Sequence, residues 1–68
     1  MNNEEDINKE FIIQALRSGS SGKIEQAARM ICSNMLHEFA PDVIPIMRHN
    51  DVIIREIAVL IIGVLGGR

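Results

Sequence analysis

The chain has 68 residues, of which 47% are hydrophobic and 24% charged, and its net charge is −2. This length allows one small domain, and the apolar content argues against disorder. The slight acidic surplus disfavours nucleic acid and anionic membrane surfaces, which attract basic proteins. The longest apolar run, nine residues from 57 to 65, is too short to span a membrane. We therefore predict a protein partner or a homo-oligomer, with no nucleic acid and no membrane.

Two further features favour a cytoplasmic location. Cys32 is the one cysteine of the chain, so an intrachain disulfide is excluded. The acidic residues 1–6 contain no apolar segment of the kind that a secretory signal carries. We therefore expect a cytoplasmic protein.

The first predicted helix runs from about Glu4 to Arg17, with Asn3 as its N-cap. Apolar side chains recur in it at helical spacing, which indicates one buried face. These residues are Ile7, Phe11, Ile12, Ala15 and Leu16. The segment 18–22, Ser-Gly-Ser-Ser-Gly, then ends the helix because serine and glycine favour a tight connection.

The second predicted helix runs from about Gly22 to Phe39, with Ser21 as its N-cap. Pro41 is expected to end it, since the residue before a proline avoids helical geometry. The predicted inward side chains are Ile24, Ala27, Ala28, Ile31, Cys32, Met35 and Phe39. The opposite face is polar, as in an ordinary amphipathic helix.

The third predicted helix is short, from about Asp42 to His49, with Asp42 as its N-cap. Pro45 then falls in the first turn, where its missing N–H would have no intrahelical partner. Its apolar contacts are expected from Val43, Ile44, Ile46 and Met47.

The fourth predicted helix runs from Ile54 to Leu65, capped by Asn50 or Asp51 and ended by the glycines at 66 and 67. Its predicted inward residues are Ile54, Ile57, Ala58, Ile61, Ile62 and Leu65. No segment alternates with period two, so strands are not expected. The predicted fold class is all-α: four helices in two antiparallel hairpins, about residues 4–39 and 41–66, forming one domain over 1–68.

The fourth helix repeats the second at a distance of 30 residues on one face only. Ile54 aligns with Ile24, Ala58 with Ala28, and Leu65 with Met35. On the other face the two helices differ. The second helix has Lys23, Arg29, Met30 and Asn34 where the fourth has Ile53, Val59, Leu60 and Val64. Burying each such aliphatic side chain is worth about 1.5–3 kcal/mol. We therefore predict that these four residues bind a partner.

Residues 41–66 resemble a HEAT repeat. A proline opens the third helix, residues 54–58 read Ile-Arg-Glu-Ile-Ala, and residues 62–66 read Ile-Gly-Val-Leu-Gly. The first copy is degenerate: Glu25 stands where the family usually has arginine, and no proline opens the first helix. The 30-residue period lies within the range of helical repeats. The resemblance implies a noncatalytic scaffold of stacked helical hairpins that binds other proteins.

Arg29 and Arg55 lie on the second helices of the two hairpins, near Glu25 and Glu56. One interpretation is solvated surface charge, since exposed ion pairs are individually weak. The other is a mixed-charge ridge that contacts a partner together with the apolar residues. In the HEAT family an arginine at the position of Arg55 commonly pairs with an aspartate of a neighbouring repeat.

Three patterns suggest chemistry, and we interpret each as structural. The stretch 19–23, Gly-Ser-Ser-Gly-Lys, lacks the spacing and the preceding strand of a phosphate-binding loop. His37 and His49 have no partners at metal-binding spacing and are expected at the surface or at helix ends. Cys32 lies on the inward stripe, where a thiol behaves as a small hydrophobe. We therefore predict no catalytic residue, no metal, no cofactor and no enzymatic activity.

Three hypotheses for function remain at this point. The first is a self-associating interaction module, such as a homodimer, that buries the outward face of the fourth helix. The second is an N-terminal fragment of a longer HEAT-repeat protein, in which a further repeat covers that face. The third is a small regulator that occludes an enzyme or a toxin.

Overall fold

The computed structural model describes residues 8–66, and every regular element in that range is helical. Helix α1 is Lys9–Leu16, α2 is Ser21–Ser33 and α4 is Val52–Gly66. Between α2 and α4 lies a composite third helix, made of the 3₁₀ turn His37–Phe39, α3 (Ala40–Val43) and the 3₁₀ segment Ile44–Arg48. The four helices pack against one another, and the prediction of an all-α fold is confirmed.

Helix α1 begins at Lys9 because Asn8 caps it. Asn8 has a non-helical backbone, and its Oδ1 accepts the N–H of Phe11 at 2.9 Å. The predicted helix therefore does not continue through Asn8. The predicted start at Glu4, the cap Asn3 and the inward Ile7 lie outside the described residues.

The connection from α1 to α2 is a turn held by serine side chains. Ser18 Oγ donates to the carbonyl of Ala15 at 2.7 Å and accepts the N–H of Ser20 at 3.1 Å. Gly19 has φ +73°, which glycine adopts without strain. Ser20 Oγ then accepts the N–H of Lys23 at 3.4 Å, so Ser20 is the N-cap and the prediction of Ser21 is wrong.

Helix α2 ends at Ser33, earlier than the predicted end at Phe39. The N–H of Leu36 reaches back to the carbonyl of Ile31 at 2.9 Å, and the N–H of Met35 to that of Cys32 at 3.3 Å. Met35 has φ +49°, in the left-handed region. These two bonds around a left-handed residue form a Schellman motif, which satisfies carbonyls that the helix end leaves without partners.

This early end changes which side chains face the core. Met35 is 45% exposed, so its predicted inward position is wrong. Phe39 is buried as predicted, but the 3₁₀ turn and not α2 carries it. The chain changes direction at Met35 and enters the third helix at His37. The prediction instead continued the second helix through these residues.

The third helix accommodates both prolines, and the predictions for Pro41 and Asp42 are wrong. Pro41 lies in the first turn of α3 and does not end the second helix, since Ala40 before it has helical φ −54° and ψ −45°. Asp42 lies inside α3 and is not an N-cap. Pro45 has no N–H for the carbonyl of Pro41, so the α-helix cannot continue there and the chain tightens into a 3₁₀ segment.

Helix α4 begins two residues earlier than predicted, at Val52, and ends at Gly66. The carbonyl of Asp51 accepts the N–H of Arg55 at 3.0 Å, and its Oδ1 accepts the N–H of Ile53 at 2.8 Å. Of the two predicted caps, Asp51 therefore satisfies the first turn.

Contacts between helix ends give the relative directions of the four helices. Lys9 Nζ at the start of α1 lies 2.8 Å from Glu38 Oε2, just beyond the end of α2, so α1 and α2 are antiparallel. His37 Nε2 lies 3.1 Å from the carbonyl oxygen of Leu65 at the end of α4, so α2 and α4 run in the same direction. Leu16 at the end of α1 lies beside Ile46 near the end of the third helix. Thus α1 lies beside the third helix, and α2 lies beside α4.

The core lies between these two pairs of helices, and no polar or charged residue among those described is buried in it. Its members are Ile12, Ala15, Leu16, Ile24, Ala27, Ala28, Ile31, Phe39, Val43, Ile46, Ile54, Ala58, Ile61 and Leu65. Five residues predicted inward are only partly buried at its edge: Phe11, Cys32, Met47, Ile57 and Ile62. Ile44 is 52% exposed, so its predicted core contact is wrong.

Candidate interaction surface

Outside its core-facing stripe, α4 exposes mainly apolar side chains, and the charged Glu56 lies among them. Among the described residues, the exposed large hydrophobic side chains are Ile13, Met35, Ile44, Val52, Ile53, Val59, Leu60 and Val64. Five of these eight lie on α4, including all four residues predicted to bind a partner. Leu60 is the most exposed of the four at 64%, and Val64 the least at 37%.

Ile53 and Leu60 border a groove between α2 and α4, which we call the α2–α4 groove. Its volume is about 360 Å³, and its lining is Glu25, Ala28, Arg29, Cys32, Ile53, Ile57 and Leu60. Because α2 and α4 run side by side in the same direction, residues separated by about one repeat meet across it. The groove therefore has an apolar floor with charged groups on its α2 side.

The charged rim of the α2–α4 groove is an ion pair within α2. Arg29 Nη2 donates to Glu25 Oε2 at 3.3 Å, and both side chains are exposed. A pair at this i, i+4 spacing is worth only a few tenths of a kcal/mol to an exposed helix. It positions one positive and one negative group beside the apolar residues of α4.

Val59 and Arg55 lie on a different side of α4, beside the third helix. There a shallow groove of about 320 Å³ is lined by Met47, Val52, Arg55, Glu56 and Val59. The predicted binding residues are therefore divided: Arg29 shares a groove with Ile53 and Leu60, while Arg55 shares one with Val59. The predicted ridge joining Arg29 and Arg55 is not formed within one groove.

Arg55 has a structural contact within its own hairpin. Its Nη1 donates to the carbonyl of His49 at 2.9 Å and to that of Asn50 at 3.3 Å. Both carbonyls belong to the loop that precedes α4. The Arg55 guanidinium therefore holds this loop against α4 by hydrogen bonds. The parts of the Arg55 side chain that remain for a partner are its aliphatic portion and its other nitrogens.

Cys32 lies in the α2–α4 groove and is partly buried. Burial raises the pKa of its thiol above the ordinary value of 9.0, because a thiolate loses hydration there. At neutral pH the group is therefore a neutral thiol that adds apolar surface to the groove.

The remaining polar groups with predicted or possible chemistry make local contacts. His37 belongs to the 3₁₀ turn and not to α2, and its ring contacts the end of α4. His49 Nδ1 accepts the N–H of Asp51 at 3.0 Å, within the loop before α4. Between residues 8 and 66, no three His, Cys, Asp or Glu residues are grouped as metal ligands would be.

Sequence reasoning missed two members of this surface. Val52 is 53% exposed and precedes the predicted start of α4. Ile57 was predicted inward but lines the α2–α4 groove. Its place one turn after Ile53 and one turn before Leu60 could have revealed it, since residues 53, 57 and 60 follow one helical stripe.

The fold and this surface define a small all-helical protein with an exposed apolar helix face. No family model matches the chain, and neither curated proteins nor solved structures give a match. Over the described part of the chain, none of the helices has the length and apolar character needed to cross a bilayer.

Proposed function

We propose that this protein is a noncatalytic interaction module of HEAT-like type, which buries the outward face of α4 against a protein surface. The observation that carries the proposal is the concentration of exposed aliphatic side chains on α4. Their removal from water is favourable by about 25 cal/mol for each Å² of apolar surface. Contiguous exposed apolar patches on small proteins commonly mark interaction sites.

The packing of the helices supports the HEAT-like part of the proposal. In stacked helical repeats, equivalent helices of successive units lie side by side in the same direction. Here α2 contacts α4 and α1 contacts α3, with adjacent helices of each hairpin antiparallel. Among residues 8–66, no other helix packs on the far side of α4, which is the position that a following unit would occupy.

The character of the apolar surface suits a protein partner better than a small molecule. The α2–α4 groove is open, and the polar groups on its lining are confined to one exposed ion pair. A small-molecule site usually combines an enclosed apolar cavity with several convergent polar groups. A protein surface that supplies its own aliphatic side chains fits this groove better. The proposed location is the cytoplasm.

Light scattering behind a sizing column tests the proposal, with wild type compared to Leu60→Glu. A carboxylate at this position resists burial, so a complex formed through the face should dissociate. Gln14→Glu is the matched control, since it adds the same charge on exposed α1. We expect wild type and Gln14→Glu to self-associate and Leu60→Glu to be monomeric. The proposal is wrong if wild type and Leu60→Glu are both well-behaved monomers of equal stability.

A further inference from the structure

We draw no further inference here: the strongest candidate, the exposed apolar patch of Ile53, Ile57 and Leu60 along the α2–α4 groove, carries nothing beyond the proposed function, because nothing among residues 8–66 shows what covers it.

Discussion

The imidazole Nε2 of His37 lies 3.1 Å from the carbonyl oxygen of Leu65, across 28 residues of chain. This contact joins the segment that follows α2 to the last turn of α4. It satisfies one of the carbonyls that a helix C-terminus leaves without an intrahelical partner. The two hairpins are thereby connected at the C-terminal ends of α2 and α4 by a polar bond as well as by the core.

Removing this bond should lower stability by a small, measurable amount. We expect His37→Ala to reduce the free energy of unfolding by about 0.5–1.5 kcal/mol, the net worth of a typical hydrogen bond. Urea unfolding followed by circular dichroism measures the change. Gln26→Ala, at an exposed position of α2, is the control and should change little. Equal losses in the two variants would contradict a role for the bond.

The guanidinium of Arg55 should stabilise the loop before α4. Arg55→Met removes both donors to the carbonyls of His49 and Asn50, and we expect a loss of about 1–2 kcal/mol in unfolding free energy. Arg48→Met, which changes an exposed arginine of the third helix, is the matched control. Amide hydrogen exchange at residues 49–52 should accelerate in the Arg55 variant alone. Unchanged exchange there would show that the loop does not depend on these bonds.

The left-handed backbone of Met35 should make this position tolerant of glycine. A non-glycine residue in that conformation is strained by about 1 kcal/mol, and the half-exposed Met35 side chain contributes little packing. We expect Met35→Gly to keep or raise the melting temperature, whereas Met35→Val should lower it because a β-branched residue resists positive φ. Thermal unfolding of the two variants measures this. The opposite order would mean that the side chain matters more than the turn.

Two adjacent residues of α4 should differ sharply in their contribution to folding. Ile61 is fully buried and Leu60 is 64% exposed. We expect Ile61→Ala to cost about 2–5 kcal/mol at any protein concentration, which unfolds much of so small a domain. Leu60→Ala should lower the free energy of unfolding far less in dilute solution. A larger loss is expected only at concentrations where wild type self-associates. Concentration-dependent melting curves distinguish the two, and parallel losses for both variants would place Leu60 in the monomer core.

The Cys32 thiol should make stability fall at alkaline pH. Its pKa is raised in the folded protein by burial, so the unfolded chain releases this proton first. The contribution of the thiol to the free energy of unfolding is therefore fully present below pH 9, and it declines as the pH rises from 9 through the pKa of the folded protein. We expect the wild-type decline to exceed that of Cys32→Ala in this window. Identical pH profiles would show that burial does not act on this group.

The sequence predicted α4 well and the boundaries between the second and third helices poorly. In α4 the periodicity of Ile54, Ala58 and Leu65 coincides with glycines at its end, so pattern and punctuation agree. The end of α2 carries no such sign. Its Schellman motif places Met35 in a conformation usually marked by glycine or asparagine, so the apolar pattern ran on past the turn.

Proline rules failed at Pro41 for a related reason. The preference against helical geometry before a proline is a steric bias and not a prohibition, and tertiary packing outweighs it here. Phe39 and Val43 are both buried on either side of the Ala40–Pro41 step, which holds this turn against the core. A rule based on neighbouring residues in the sequence does not account for this burial in the core.

The outward face of α4 was predicted as one surface, and the structure divides it. Which residues point away from the core follows from periodicity within α4 alone. Which of them share a groove depends on where α2 and the third helix lie around α4. Helical-wheel angles alone separate Val59 from Ile53 and Leu60. They do not show that Arg29 lies in the same groove as Ile53 and Leu60.

The side-by-side order of the helices also bears on how quickly the chain folds. Each hairpin pairs helices that are neighbours in sequence, and the turn after α1 is short. Little loop entropy opposes such pairings, and helical proteins with mostly local contacts fold in about microseconds to milliseconds. Among the described residues, the pairing of α2 with α4 and of α1 with the third helix requires a more distant encounter. Docking of the two hairpins should therefore limit the rate, with α2 and α4 coming together late.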